Sequence, residues 1–435
     1  MGGARPIRVA MLLGKSDEHD TRVFKEAETL AAAGHDVRVI SLADWELPPF
    51  ETLRGVEYER VGLSEAAREA WQRRRDGQEA RLDGQRRRAS RLPRGVVVAA
   101  RSVYRSRLRL EREIYLWVRA ARWHQEYWTT VAEPLARFDP DVVHAHDLLT
   151  LYAGRRHARL RGVPLVYDSH EFERGSRRYP GVRNQTVVRA VERLGIRAAS
   201  AVVTVSPAIA EELSRIYRIP CPQVLLNSPP LDESLAPAPF SLREVCGVGP
   251  EETLVVFTGA LSGARGIEET VDAFAELPQS FHLALMGPRK PHREAMFRER
   301  AAALGLEGRV HLVDAVRGDQ VGAVIASADA AVVPQGKAGR SQDLTLPNKL
   351  FDAVLAGLPV AAAATTSVAA FVRRHEVGAL FDVDDPPSIA PAIREVVERT
   401  PPGIADVERL RRLQEEVCWE RQSETLLELY ARLGA

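Results

Sequence analysis

Short runs that are apolar throughout, each followed by a polar loop and a segment of helical period, recur along this chain and restrict it to one architecture. IRVAMLL (7–13), DVRVISL (36–42), DVVHAH (141–146), PLVYDS (164–169), AVVTVS (201–206) and QVLLN (223–227) read as strands of one series. A strand without polar alternation is buried on both faces, as in a parallel sheet flanked by helices. The stretch SPPLDESLAPAPF (228–240) is Pro-rich and loses periodicity, as a linker does. A second series follows: TLVVFTG (253–259), FHLALMG (281–287), VHLVD (310–314), AAVVP (330–334), PVAAA (359–363) and GALFD (378–382). The fold class expected is therefore α/β, with two Rossmann-like parallel-sheet domains facing across a cleft.

The length of 435 residues agrees, since one core rarely serves more than about 250–300 residues. Domain boundaries are expected at 1–235 and 236–404. A last helix over 405–435 carries Leu410, Leu413, Val417, Leu426, Leu429 and Tyr430. In the first βαβ unit, Val23, Phe24, Ala27, Leu30 and Ala31 share one helix face, and Gly34 fits the C′ position that closes it. The loop Gly14–Asp20, at the end of the first strand, is where such sheets bind ligands.

An apolar fraction of 45% with 27% charged residues excludes wholesale disorder. No run of about 18 apolar residues offers a spanning helix, and the start, MGGARPIRVAMLLG, passes into a strand without a signal peptide. Cys221, Cys246 and Cys418 are odd in number and lack metal-ligand spacing, which points to reduced thiols and a cytoplasmic location. One segment breaks the pattern. Residues 64–130 are long, of helical character and basic, with 14 Arg against 5 Asp or Glu between Trp71 and Glu113. Trp71, Trp117, Trp123 and Trp128 lie within or beside it. The segment reads as a solvated helical insertion, with peripheral contact to an anionic membrane as its alternative role; nucleic acid is not expected as a partner.

Three Gly-bearing loops that follow strands are candidate phosphate cradles: Gly14-Lys15-Ser16, the stretch from Gly259 through Gly263 and Arg265 to Gly266, and Gly287-Pro288-Arg289. Backbone N–H groups at such loops, and at helix starts, favour an anion. None is G-x-G-x-x-G or a Walker loop, which disfavours a nicotinamide-dependent oxidoreductase. Arg265 adds a planar fork of donors to the second loop. The most specific stretch is SQDLTLPNKLFDAVLAGLPV (341–360). Pro347 suits the first helical position, with Asn348 and Lys349 in the first turn facing a diphosphate and Asp352 one turn on, within reach of ribose hydroxyls. Asp382-Val383-Asp384 precedes Pro386-Pro387 and reads as a turn. His144, His146 and His170, with Asp147 and Glu171, raise the question of a metal. The H-x-H pair on a strand points both imidazoles one way. We expect no metal and no other cofactor, one of the pair orienting a loop and the other lining the cleft.

In order, GHDVRVI (34–40), DVVHAHD (141–147), YDSHE (167–171), TVS (204–206), Asn227, FTGALSGARGIEETVDAF (257–274), LPNKLFDAVLAGLPV (346–360) and Trp419 before Leu429-Tyr430 resemble the retaining glycosyltransferases of the GT-B fold, family 4. The resemblance runs from about residue 6 to 430, apart from the basic insertion. It implies a nucleotide-diphosphate sugar held by the C-terminal domain, an acceptor on the N-terminal one, and a last helix that returns to the first domain. It makes His170 the active-site His that contacts the transferred sugar, puts Arg265 at the diphosphate Lys, and puts Asp352 where a ribose-binding Glu is usual. The catalytic set is then His170, Arg265 and Lys349. The donor side adds Gly14, Gly259, Gly263, Gly287, Asp343, Asn348 and Asp352, and the acceptor side His144, His146, Asp147 and Glu171. Two positions depart from the family pattern. Ala260 stands where an Arg is usual, leaving Lys349, Arg340 or Lys337 to supply charge, and the first Glu of a paired-Glu motif falls at Leu344, with Asp343 beside it. Rival readings are a nucleotide-sugar epimerase of the same fold, which would need acid–base carboxylates, and a non-catalytic nucleotide-sugar-binding subunit.

Overall fold

The structure, a computed structural model, describes residues 5–17, 20–43, 47–62, 124–176, 182–261, 266–336 and 339–434. The chain divides into two compact units. Residues 1–169, 178–202 and 431–435 form the first, and residues 170–177 and 203–430 the second.

The first sheet holds β1 (Arg8–Leu13), β2 (Asp36–Leu42), β3 (Phe50–Leu53), β4 (Val56–Val61), β5 (Val142–His146), β6 (Leu165–Ser169), β7 (Ala201–Thr204) and β8 (Gln223–Val224). Their order is β3-β4-β2-β1-β5-β6-β7-β8. β1 lies parallel to both β2 and β5, so the sheet grows outward in two directions from that pair. The hairpin β3–β4, antiparallel, is absent from the sequence reading. VEYERV alternates apolar and charged residues instead of running apolar, because Glu57 and Glu59 reach Arg38 on the neighbouring strand while Arg60 turns to Asp17. Arg54 and Gly55 make its turn with φ of 47° and 80°, the paired positive angles that match strand twist in a two-residue hairpin.

The second sheet holds β9 (Thr253–Thr258), β10 (Phe281–Met286), β11 (Val310–Val313), β12 (Ala330–Val333), β13 (Val360–Ala363) and β14 (Gly378–Phe381). All are parallel, in the order β11-β10-β9-β12-β13-β14. Val256, Ala331, Val333 and Ala362 face one buried cluster, and Val255, Phe257, Val332, Ala361 and Ala363 face another. Two clusters, one per face, explain why these strands carry no polar alternation. Strand order reverses between β9 and β12, the switch point outside which open α/β sheets bind ligands.

By contacts, residues 203–235 belong with the second unit. Ser206 Oγ donates to the Leu344 carbonyl at 2.6 Å, and the Leu226 N–H donates to Gln422 Oε1 at 3.1 Å. The helix expected over 405–435 is two, Val407–Val417 and Trp419–Leu433, separated by Cys418 in an extended conformation. Residues 63–123, most of the basic segment, lie outside the described residues; 124–138 are helical, with Tyr127, Val131 and Leu135 buried. Among the described residues, no helix is long and apolar enough to cross a membrane.

Candidate functional site

In the second unit, the loop that leaves β9 starts with Gly259 at φ 120°, and the loop that leaves β10 starts with Gly287. The two glycines stand back to back. A Cβ on Gly287 would overlap the Gly259 carbonyl oxygen, and the Gly259 N–H donates to the Met286 carbonyl at 2.9 Å. Gly266, at φ 76°, starts the helix Ile267–Ala273. Gly263 and Arg265 lie outside the described residues, as does Lys337. Arg289 is engaged locally. Its Nε and Nη2 donate to the two carboxylate oxygens of Asp314 at 2.5 and 2.7 Å.

The helix Asn348–Leu355 begins one residue later than expected. Pro347 is its N-cap, with an extended ψ of 143°, so Asn348 rather than Pro347 takes the first helical position. Leu350, Phe351, Val354 and Leu355 bury one face, leaving Asn348 exposed and Lys349 and Asp352 partly so. Lys349 Nζ stands 4.2 Å from the ring centroid of Phe257 on β9, a cation–π contact. Phe257 lies two residues before Gly259. The ammonium is therefore fixed at the C-terminal end of β9, at the switch point, beside the paired glycines. Phe257 was not among the residues singled out by sequence, because nothing in an apolar strand marks which ring will carry a cation.

Asp343 faces elsewhere. Its Oδ1 accepts from the Thr366 N–H at 2.9 Å and its Oδ2 from Thr366 Oγ1 at 2.7 Å, capping the helix Thr366–His375. Leu344 is buried, and its carbonyl accepts from Ser206 and from Ser367, each at 2.6 Å. Arg340 pairs with Glu212 at 3.0 Å. Hydrogen bonds from Arg215, with the Arg340 charge, hold the Glu212 carboxyl below the usual range. His170 and Glu171, both partly exposed, belong to this unit through the segment 170–177. Gly175 in that segment packs directly on the helix Arg340–Leu344: a Cβ there would lie 2.8 Å from the Ser341 nitrogen and 2.9 Å from Arg340 Cβ. Asp384 N–H donates to Asp382 Oδ1 at 3.0 Å, the turn expected of that triplet.

Gly14 belongs to the first unit, apart from the other donor-side candidates. Leu149 explains it, since a Cβ would sit 2.6 Å from Leu149 Cδ2. The rest of its loop is organised by acids. Arg60 Nη2 and Ser41 Oγ donate to Asp17 at 2.7 and 2.5 Å, and Lys15 Nζ pairs with Asp20 at 2.8 Å. Two carboxylates make this loop a poorer anion cradle than the sequence suggested.

His144 and His146 are fully buried and stacked 4.2 Å apart, so neither imidazole presents itself at a surface; the expectation that one lines a cleft is corrected. Strand β5 carries both on the face that meets the helix Thr21–Ala32 and the end of β6. There Arg22, 1% exposed, donates from Nε to Asp168 Oδ2 at 2.7 Å and from Nη2 to Oδ1 at 3.0 Å, and its Nε lies 3.0 Å from Glu26 Oε1. Burial opposes the guanidinium charge, but Asp168 and Glu26 outweigh it and raise the Arg22 pKa further. Asp147 opens the next helix at φ 63°, a left-handed conformation uncommon for a residue with a side chain. Arg22, Glu26 and Asp168 escaped the sequence reading. The available signal was Arg22 and Glu26 at i and i+4, on the same helix face as Val23, Ala27 and Leu30.

Residues 252–399 match the family model for glycosyl transferases group 1, and residues 20–229 match the glycosyl transferase 4-like domain. An uncharacterised glycosyltransferase of Methanocaldococcus jannaschii is 25% identical over 266 residues, 59% of this chain and 66% of that protein, just under two thirds of its length. A D-inositol 3-phosphate glycosyltransferase of Xylanimonas cellulosilytica is 25% identical over 305 residues, 67% and 72% of the two chains. Among solved structures, a sucrose-phosphate synthase of Thermosynechococcus elongatus gives a TM-score of 0.70 at 18% identity over 98% of this chain and 99% of that one. Anabaena HepE, solved in complex with UDP-glucose, gives 0.66 at 16% identity over 98% and 100%.

Proposed function

The chain belongs to the GT-B glycosyltransferases, with a 4-like N-terminal half and a group 1 C-terminal half, and within that family we propose that it transfers a sugar from a nucleotide diphosphate with retained anomeric configuration. The donor is held by the second unit and the acceptor by the first. The acceptor is a small molecule, a lipid-linked sugar or a glycan, attacking through oxygen, nitrogen or sulfur.

The observation that carries this reading is the Lys349 ammonium fixed over Phe257, beside Gly259 and Gly287. Breaking the bond between sugar and diphosphate puts negative charge on the departing phosphate. A cation held in place before the reaction stabilises that charge without reorganising, which is the largest contribution such a site makes. Asn348 and Lys349 stand in the first turn of their helix, where the helix dipole adds in the same sense. Arg265 supplies a second cation and Asp352 meets ribose. His170 contacts the transferred sugar. The acceptor attacks from the face the leaving group departs, and its proton passes to the departing phosphate. No carboxylate nucleophile is required. For the basic segment 64–130, peripheral contact with an anionic membrane stays the alternative to a solvated insertion: deleting residues 71–113 would abolish binding to anionic liposomes in the first case and leave it unchanged in the second.

The test is calorimetric titration of the full chain with UDP, GDP, ADP and dTDP without metal, followed by the sugars of whichever base binds. One nucleotide is expected to bind and its sugar to be consumed only with an acceptor. Consumption without acceptor would favour epimerisation, and binding without turnover a non-catalytic subunit. If the Arg265→Ala and Lys349→Ala proteins turned over normally, the assignment would fail.

A further inference from the structure

The buried cluster under the first sheet's switch point has a donor set that the sugar chemistry does not use. One nitrogen or oxygen from each of Glu26, His144, His146 and Asp168 lies within 4.8 Å of all the others, and all four side chains are fully buried. His146 Nδ1 is 3.4 Å from Asp168 Oδ2, and His144 Nε2 is 3.8 Å from Glu26 Oε2. A tetrahedral dication with bonds of about 2.0–2.1 Å holds its donors about 3.3 Å apart. Two of the donor pairs already stand near that spacing.

Three elements converge to build it. The two imidazoles come from alternate residues of β5, which strand geometry places on one side. Glu26 comes from the helix Thr21–Ala32, and Asp168 from the end of β6. Two imidazoles with two carboxylates are a borderline set. Magnesium and calcium take oxygen ligands, whereas zinc takes this mixture readily. Arg22 is the chief objection, because a guanidinium beside a dication is repulsive. It is, however, engaged by the carboxylates, through hydrogen bonds to both oxygens of Asp168 and an ion pair with Oε1 of Glu26. Ligating carboxylates are commonly oriented by such outer hydrogen bonds. Arg22, two carboxylates, two neutral imidazoles and a dication sum to one net positive charge, and the same groups without the dication to one net negative charge.

We propose that Glu26, His144, His146 and Asp168 form a closed zinc site that joins the helix, β5 and β6 beneath the C-terminal strand ends. Four protein ligands leave no open position, so the metal is structural and takes no part in sugar transfer. This runs against the sequence expectation of no metal and stands independently of the transferase reading.

The test uses the full chain without a metal-binding tag. Elemental analysis of protein from zinc-supplemented cells should give about one zinc per chain. Chelator-stripped protein should recover its Tm on addition of zinc, and cobalt(II) should show the visible absorption of a tetrahedral N/O site. Glu26→Gln keeps the shape of the side chain and should weaken zinc binding at least about tenfold. Stripped wild-type protein that takes up no zinc in a calorimetric titration would overturn the proposal, leaving a purely ionic cluster. Zinc uptake unchanged in both Glu26→Gln and His144→Asn would also overturn it by placing the metal elsewhere. If neither variant folds, the wild-type titration and the cobalt spectrum decide.

Discussion

The two sheets reverse direction in the same way, yet the ground beneath their switch points is made of opposite materials. Under the first lie Arg22, Glu26, His144, His146 and Asp168, ionisable groups without solvent. Under the second lie Val255, Phe257, Val332 and Ala361, and its loops are fixed by two glycines that touch through their backbones. The first unit holds its strand ends with side-chain charges, which are directional and costly to leave unmatched. The second holds its strand ends with main chain and apolar packing, and places the Lys349 ammonium on the Phe257 ring at the end of β9. In the proposed reading, the ammonium resting on an aromatic face meets phosphate, whereas the guanidinium is gripped by buried carboxylates.

The contrast can be broken most directly at Arg22. In chelator-stripped protein, Arg22→Met leaves Asp168 and Glu26 buried beside no cation, and unfolding in urea should show a loss of about 3–5 kcal/mol. A loss under 1 kcal/mol would mean the charges are not what holds the first unit. Gly287→Ala attacks the second unit through its backbone. The new methyl must displace the Gly259 carbonyl, which should cost about 3 kcal/mol in the same assay and abolish nucleotide binding. Lys349→Met should separate binding from stability: nucleoside diphosphate affinity falls about 10- to 100-fold, since charged hydrogen bonds are worth about 1.5–3 kcal/mol. Its unfolding free energy should change by less than about 1 kcal/mol, the size of an accessible cation–π contact. Asp343→Ala removes the cap from the helix Thr366–His375 and should cost about 1 kcal/mol. An unchanged KM for the donor would show that this carboxylate serves the helix, not the sugar.

The smallest effect is electrostatic. Hydrogen bonds from Arg8 hold the Asp141 carboxyl below its ordinary value. The unfolded chain therefore binds the proton first, so this stabilisation is complete above the ordinary carboxyl pKa and is lost as pH falls through the lowered one. Asp141→Asn should flatten the fall of Tm below about pH 4 by an amount equivalent to less than about 1 kcal/mol, as expected for a largely exposed pair.

The architecture was legible because strands buried on both faces have no choice but to be apolar; all twelve runs contain strands, although the edge strands β8 and β11 are only partly buried. The hairpin Phe50–Val61 was not legible, since Glu57, Glu59 and Arg60 look like surface residues until Arg38 and Asp17 are seen opposite them. Around the site, the sequence singled out Lys349 from its position after Pro347, but not the Phe257 ring on which its ammonium rests. It had no means of showing that Asp343 turns to Thr366, or that both histidines of the H-x-H pair are sealed inside. Those outcomes depend on which distant elements pack together. A pattern of alternation gives the direction of a side chain but not its neighbour.

The back-to-back contact of Gly259 and Gly287 has a consequence for anyone who would redesign this protein. Because the meeting is of main chain with main chain, the position of the loops is insulated from the identity of the residues that follow each glycine. Libraries that vary Ala260, Pro288 and Arg289 can therefore search for altered ligand binding on a foundation that stays put, while substitutions at Gly287 carry the stability cost of displacing the Gly259 carbonyl.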